Sequence, residues 1–189
     1  ITLRIGMPQL EQGAFATSVI PTTSAAATRN ADVASITGTN FSGWYNTSAT
    51  TLRVDGQLIG GTASTYPSMT AISSATPNND VISISWTANS SLMRGGVASG
   101  GSGSVDIPAG SFKSSGSKYA VAFAVSSASA QLASDGIFGT ENTSPVIPTV
   151  DRLLIGQPVR FQPQANTSIR RLTYWNTRLP NATLQAITT

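Results

Sequence analysis

The sequence predicts an all-β chain, a two-sheet antiparallel β-sandwich closed by one short C-terminal helix. Three observations predict it. Only 10% of the 189 residues are charged, whereas Ser and Thr together supply about a quarter. Such a chain cannot dress helix faces with Glu and Lys, and it must rely on hydroxyls and backbone pairing instead. Short runs with a period of two recur between Gly, Pro, Asn and Ser clusters, the spacing of a sandwich. Only one segment reads as a helix. A hydrophobic fraction of 40% supplies a core and argues against disorder.

The elements follow in order. Ile1–Gly6 alternates apolar and polar residues and reads as a strand without a preceding turn. A chain opening inside a strand is expected to be a fragment, a processed product or the ordered part of something longer. Residues 1–21 are too few to bury a core. They form an N-terminal arm, or the last strand of a preceding β-domain, that packs against another surface. Residues 22–28 form a linker, and 29–189 form the sandwich. Val33–Ile36, Thr51–Val54 and Leu58–Ile59 are short strands, with Asp55-Gly56 a hairpin turn between the last two. Val81–Trp86 alternates with Ile82, Ile84 and Trp86 on one buried face. Ser99–Ser104 reads as a flexible loop and Pro108–Gly110 as a turn. Lys118–Val125 is the most apolar stretch and is expected at the centre of a sheet. Gln131–Gly136 pairs with it across a Ser/Ala-rich hairpin. Arg152–Gly156 and Ile169–Trp175 are the last strands. Pro180–Thr188 is the helix, with Pro at N1 and apolar Leu184 and Ile187 three apart.

Two stretches carry a family resemblance. QLEQGAFATSVIPTT over 9–23, followed by TRNAD over 28–32, resembles a junction of bacteriophage tail and head-fibre proteins. There the first half closes a carbohydrate-binding-module-like β-domain and the second opens a lectin-like sandwich. RLLIG over 152–156, IRRLTYWN over 169–176 and RLPNATLQAIT over 178–188 are similar to the ending of the same domains. The resemblance brackets about Thr28–Thr188. The middle departs from it, being longer and Ser-rich over 126–130 and 135–148. The resemblance implies a concanavalin A-like jelly roll in a virion protein, a fibre or appendage domain attaching to host surface glycans. The alternative it leaves open is a structural capsid decoration or head-fibre component that binds other virion proteins. It also implies a homo-oligomer, a trimer before other states.

The residues exclude more chemistry than they suggest. There is no Cys and no His, which removes thiolate chemistry, the usual general base and the commonest zinc ligand. Glycoside hydrolysis needs two facing carboxylates, and the only glutamates are Glu11 and Glu141. Lys113 and Lys118 lack the S-x-x-K spacing of a Ser-Lys pair. No enzyme is expected. No cofactor is called for either. Calcium is the one cation left open, through Asp32, Asp55, Asp80, Asp106, Asp135 or Asp151. None forms a D-x-D run, and a turn explains Asn78–Asp80 more cheaply. No apolar run is long enough to span a membrane as a helix. The +3 formal charge is carried by scattered arginines, with only Arg170 and Arg171 adjacent, and nucleic acid is not expected as a partner.

Sugars bind by stacking on exposed aromatic faces, with amides and hydroxyls reading the sugar OH groups. Trp44, Tyr45, Tyr66 and Trp175 are the candidates. Trp86 belongs to a buried strand face. Tyr174 and Trp175 point to opposite sides of a strand, so one is expected inside and the other available. Tyr66, beside Pro67, is expected to be exposed in a loop. Arg29 and Asp32, three apart where the sandwich begins, read as a structural clamp on its first strand.

Overall fold

The computed structural model describes residues 19–21, 25–27, 34–59, 67–76, 79–87, 91–157 and 166–189. The chain divides into two units, Ile1–Asp32 and Val33–Thr189. Apart from its last three residues, the N-terminal arm lies outside the described residues, as do Arg29, Asp32 and Tyr66. The second unit is a sandwich of two antiparallel sheets.

Its elements are β1 (Ala34–Thr37), α1 (Thr39–Ser42), β2 (Ala49–Leu58), β3 (Ser68–Ser73), β4 (Val81–Thr87), β5 (Leu92–Ser99), β6 (Ser102–Ala109), β7 (Lys118–Ser126), β8 (Ser129–Ser134), β9 (Ile137–Phe138), β10 (Arg152–Ile155), β11 (Thr167–Trp175) and α2 (Asn181–Thr188). One sheet runs β1-β10-β3-β4-β5-β6 and the other β11-β2-β7-β8-β9. Lys118–Val125 lies in the middle strand of the second sheet, as its apolarity predicts, and Ser129–Ser134 pairs with it.

The core forms between the sheets. Leu52 and Val54 of β2 and Val121, Phe123 and Val125 of β7 meet Ile72, Ile82, Ile84, Met93 and Ile107 of the other sheet, all at most 2% exposed. Phe123 reaches across to Gly95 of β5. A Cβ at Gly95 would sit 2.6 Å from the Phe123 ring, so only glycine leaves the ring its place. The alternate residues of β7 are alanines. Ala122 and Ala124, with Ala133 of β8, form a shallow bed for α2, whose Leu184 is fully buried. Pro180 caps α2 with ψ 150°, one position earlier than the N1 place expected for it.

Several expectations are corrected. Asp55-Gly56 is no hairpin; it lies inside the ten-residue β2. Gly56 serves close approach instead of a turn, for a Cβ there would meet the Ser168 carbonyl oxygen at 2.1 Å and the Tyr119 hydroxyl at 2.5 Å. Ser99–Ser104 is no flexible loop. It is the end of β5, a two-residue Gly100-Gly101 turn with φ 58° and 83°, and the start of β6. Pro108 lies inside β6 and not in a turn, which an edge strand permits because its missing N–H faces no ladder. β4 is buried on both faces: Val81, Ser83 and Ser85 are at most 2% exposed, and Val81 and Ser83 stand beside the small residues Ala71, Gly96 and Ala98 of the neighbouring strands. β3, β5, β6 and α1 were not anticipated. β3 (SMTAIS) and β5 (LMRGGVAS) bury polar and small residues and so lack a hydrophobic alternation.

Candidate aromatic cleft

The candidate site forms where α1 and the loop before β2 meet the end of β11. Gly38, with φ 60°, turns the chain into the single turn α1, and Phe41 (1% exposed) anchors that turn in the core. The helical bonding runs on past the helix, Tyr45 N–H donating to the Phe41 carbonyl at 3.2 Å. Trp44 and Tyr45 are thereby held on either side of Phe41. Phe41 and Tyr45 stack with centroids 4.8 Å apart, and Trp44 meets Phe41 edge-on at 4.9 Å.

β11 brings the other half. Tyr174 stands opposite Leu52 and Trp175 opposite Thr51, so the two side chains leave the strand on opposite faces. Both are half-buried, which differs from the expected division into one buried and one free. Tyr174 meets Trp44 edge-on at 4.5 Å. Its hydroxyl accepts from the Asn46 backbone N–H at 2.8 Å, and the Asn46 side-chain amide donates to the Asn176 carbonyl at 2.7 Å. The Trp44 indole N–H donates to the Asn40 carbonyl at 2.5 Å. These bonds fix the rings of Trp44 and Tyr174, which lose little further freedom when a ligand stacks on them.

Together Gly43, Trp44, Tyr45, Asn46, Thr47, Tyr174, Trp175 and Asn176 line an open cleft of about 690 Å³. On its other side Tyr45, with Phe41, Val150 and Arg152, lines a second cleft of about 490 Å³. Burial, then the neighbouring Tyr174, pushes the Tyr45 phenol up to about 12. Its hydroxyl is buried and has no hydrogen-bond partner. Tyr45 therefore stays neutral and acts as a ring, not as an acid or base. At the second cleft, the carboxylate of Asp151, 2.7 Å away, holds the Arg152 guanidinium above its usual range.

The fold thus brings Trp44, Tyr45 and Trp175 into one cleft and leaves Trp86 in the core, 5% exposed. Tyr174, the expected alternative to Trp175, and Asn46 belong to the group as well, and Phe41 and Asn176 complete it without having stood out in the sequence. The only signal for them was adjacency to the chosen aromatics in two segments some 130 residues apart.

The described carboxylates are engaged elsewhere. Arg53 holds Asp55 through two bonds of 2.8 Å, Lys113 holds Asp135 at 2.5 Å, and Arg94 holds Asp106. Glu141 joins Arg178 at 3.1 Å and the hydroxyl of Ser129. Among the described residues no three acidic groups converge as a metal site would require. Asp80 instead accepts from the Gly100 N–H at 3.0 Å and ties down the β5–β6 turn. No described helix is long and apolar enough to cross a membrane.

No protein-family model matches the sequence, and no curated protein matches it. The fold is similar to that of solved lectin-like domains. The CBM40 module of the Ruminococcus gnavus IT-sialidase, bound to α2,3-sialyllactose, matches with a TM-score of 0.61 at 14% identity, over 76% of this chain and 84% of that one. A K499G mutant of the NanB sialidase from Streptococcus pneumoniae matches with 0.62 at 14%, over 82% of this chain and 26% of that one, so the chain spans about a quarter of that enzyme. A heptameric SAP-like pentraxin from Limulus polyphemus matches with 0.59 at 13%, over 77% and 73%. At these identities the likeness shows the fold, a jelly-roll sandwich of the lectin-like kind.

Proposed function

We propose that this domain is a non-catalytic glycan-binding module of a bacteriophage fibre or appendage, and that the cleft around Trp44, Tyr45 and Trp175 takes a sugar of the host surface. The convergence of three chosen aromatics with Asn46 and Asn176 in one open cleft carries the reading. Flat rings set beside amides suit the apolar face and the hydroxyl rim of a pyranose. The lectin-like fold supports binding, and the phage junction and ending in the sequence support a place in the virion beside other virion proteins. A homotrimer fits this role, because three shallow sites gain avidity through their linkage.

A glycan array with the intact protein tests the reading, followed by calorimetry on each retained sugar. Trp175→Ala is expected to weaken binding about tenfold or more, the loss of a central aromatic contact. A protein that retains no glycan, or a Trp175→Ala variant that binds unchanged, would falsify it. The second reading, a structural decoration or head-fibre component, draws on one observation. The Trp44 indole N–H and the Asn46 amide already have partners inside the protein and offer few polar atoms to a sugar.

A further inference from the structure

The fold gathers cations that the sequence scatters. β11 pairs with β2 through a bulge, Ile169 standing opposite Gly56 and Arg171 opposite Asp55, so that Arg170 is the extra residue. Ile169 and Leu172 both pack against the core. Two residues therefore separate consecutive inward side chains, and Arg170 and Arg171 are both exposed. Across β2, Lys118 opens β7 opposite Gln57 and is exposed too. Asp55, Gly56, Lys118, Tyr119, Arg170 and Arg171 line one cleft of about 290 Å³.

The charge in this cleft is unbalanced. Its one carboxylate, Asp55, is taken by Arg53 through two 2.8 Å bonds. Arg171 lies 3.8 Å from the same carboxylate with its side chain 58% exposed, a loose and solvated pairing. Among the described residues Lys118, Arg170 and Arg171 line the cleft and Arg53 joins its carboxylate from outside the lining, four cations around one anion and a net of three positive charges. That equals the formal charge of the entire chain, since the other seven basic and seven acidic residues cancel. A local excess of this size draws anions to the cleft mouth. Arg171 and Trp175 also leave β11 on the same face, as their partners Asp55 and Thr51 do on β2. Four residues of strand place them about 13 Å apart.

We propose that this cleft binds the acidic group, carboxylate or phosphate, of a polysaccharide whose chain runs along β11 toward Trp175. The choice of a polysaccharide rests on the glycan-binding reading above; the anion site rests on the bulge and its charges. Biolayer interferometry on the whole chain tests it. The probes are polygalacturonate, poly(glycerol phosphate), neutral dextran and a short duplex DNA. One or both acidic polymers are expected to bind, with affinity falling about tenfold between about 50 and 200 mM salt. Arg170→Gln with Arg171→Gln is expected to weaken that binding about tenfold, with an unchanged circular dichroism spectrum. Arg94→Gln with Arg152→Gln, the same charge change elsewhere, is expected to leave it within about twofold. The proposal is overturned if neither acidic polymer binds, if dextran or DNA binds as tightly as they do, or if the control pair weakens binding as much as the test pair. The aromatic cleft fails separately. In that case Trp175→Ala alters no glycan binding while the salt-dependent binding of the acidic polymer survives.

Discussion

At Gly56 a missing Cβ lets three strands meet. The Ser168 carbonyl and the Tyr119 hydroxyl both occupy the space a side chain would need. Backbone cannot swing away as a long side chain can, so Gly56→Ala must push β11 off β2 or displace Tyr119. We expect a loss of about 1–3 kcal/mol, the usual cost of overpacking, read from the midpoint of urea unfolding. An unchanged midpoint would show that the strands yield freely. Tyr45 makes a pH-dependent prediction. Its folded pKa is raised from 10.0 to about 12 by burial. A raised pKa means that the folded state holds the proton more tightly than the unfolded chain does. The contribution of Tyr45 is thus complete below pH 10 and is lost as pH rises from 10 toward 12. Tyr119 shifts in the same direction, chiefly through burial. Tyr45→Phe removes a buried hydroxyl without a partner. Its stability at neutral pH should equal or exceed that of the parent, and its decline between pH 10 and 12 should be shallower. Chemical unfolding at several pH values compares the two.

At the scale of elements, α2 is held by shape on one side and by charge at its start. Leu184 fills the alanine bed of β7 and β8. Arg178, before the helix, donates to the Ser129 hydroxyl at 2.8 Å, the Asn181 side-chain oxygen at 2.6 Å and the Leu179 carbonyl at 2.9 Å. It ties the helix entry to the β7–β8 turn. The same loop is pinned to β2, where the Thr51 hydroxyl donates to the Thr177 carbonyl at 2.7 Å and accepts from the Leu179 N–H at 3.0 Å. Leu184→Ala would leave a cavity above alanines, whose methyl groups are too short to fill it. We expect a loss of about 2–5 kcal/mol in thermal or urea unfolding. A smaller loss would mean that the helix settles onto the sheet. This clamp follows directly after Trp175 and Asn176, so loosening α2 should also weaken binding in the aromatic cleft.

At the scale of the whole molecule, two antiparallel ladders pair the backbone of a chain that carries few charges. With 10% charged residues, copies repel one another weakly. Among the described strands both sheets keep edges, β1 and β6 in one and β11 and β9 in the other. β11 presents both the bulge with its two arginines and Trp175 on an edge strand. A second subunit or an extended ligand can reach it there. The proposed trimer is checked by light scattering on the intact protein at micromolar concentration. A mass of three chains is expected, and a strictly monomeric mass would remove the avidity argument.

The sequence by itself determined the class of fold and most of its strands. Low charge, abundant hydroxyls and a period of two restrict a chain to sheets whatever its partners. It determined the C-terminal helix too, because Pro180 and the Leu184/Ile187 spacing act within one turn or two. It also picked Trp44, Tyr45 and Trp175 by residue type. The tertiary structure alone decided that these three share a cleft and that Tyr174, Asn46 and Asn176 belong with them. Their segments lie about 130 residues apart, and the pairing of β2 with β11 brings them close enough for the Asn46 bonds and the Trp44–Tyr174 ring contact to form. It decided that Asp55-Gly56 is strand, because a turn dipeptide yields when Tyr119 and Ser168 need its missing side chain. It decided that Ser83 and Ser85 are inside, Ser83 standing beside the small residues Ala71 and Gly96 of the neighbouring strands. And it joined the adjacent Arg170 and Arg171 to the distant Lys118 in one cationic cleft through a bulge, a register shift that local residue patterns do not encode.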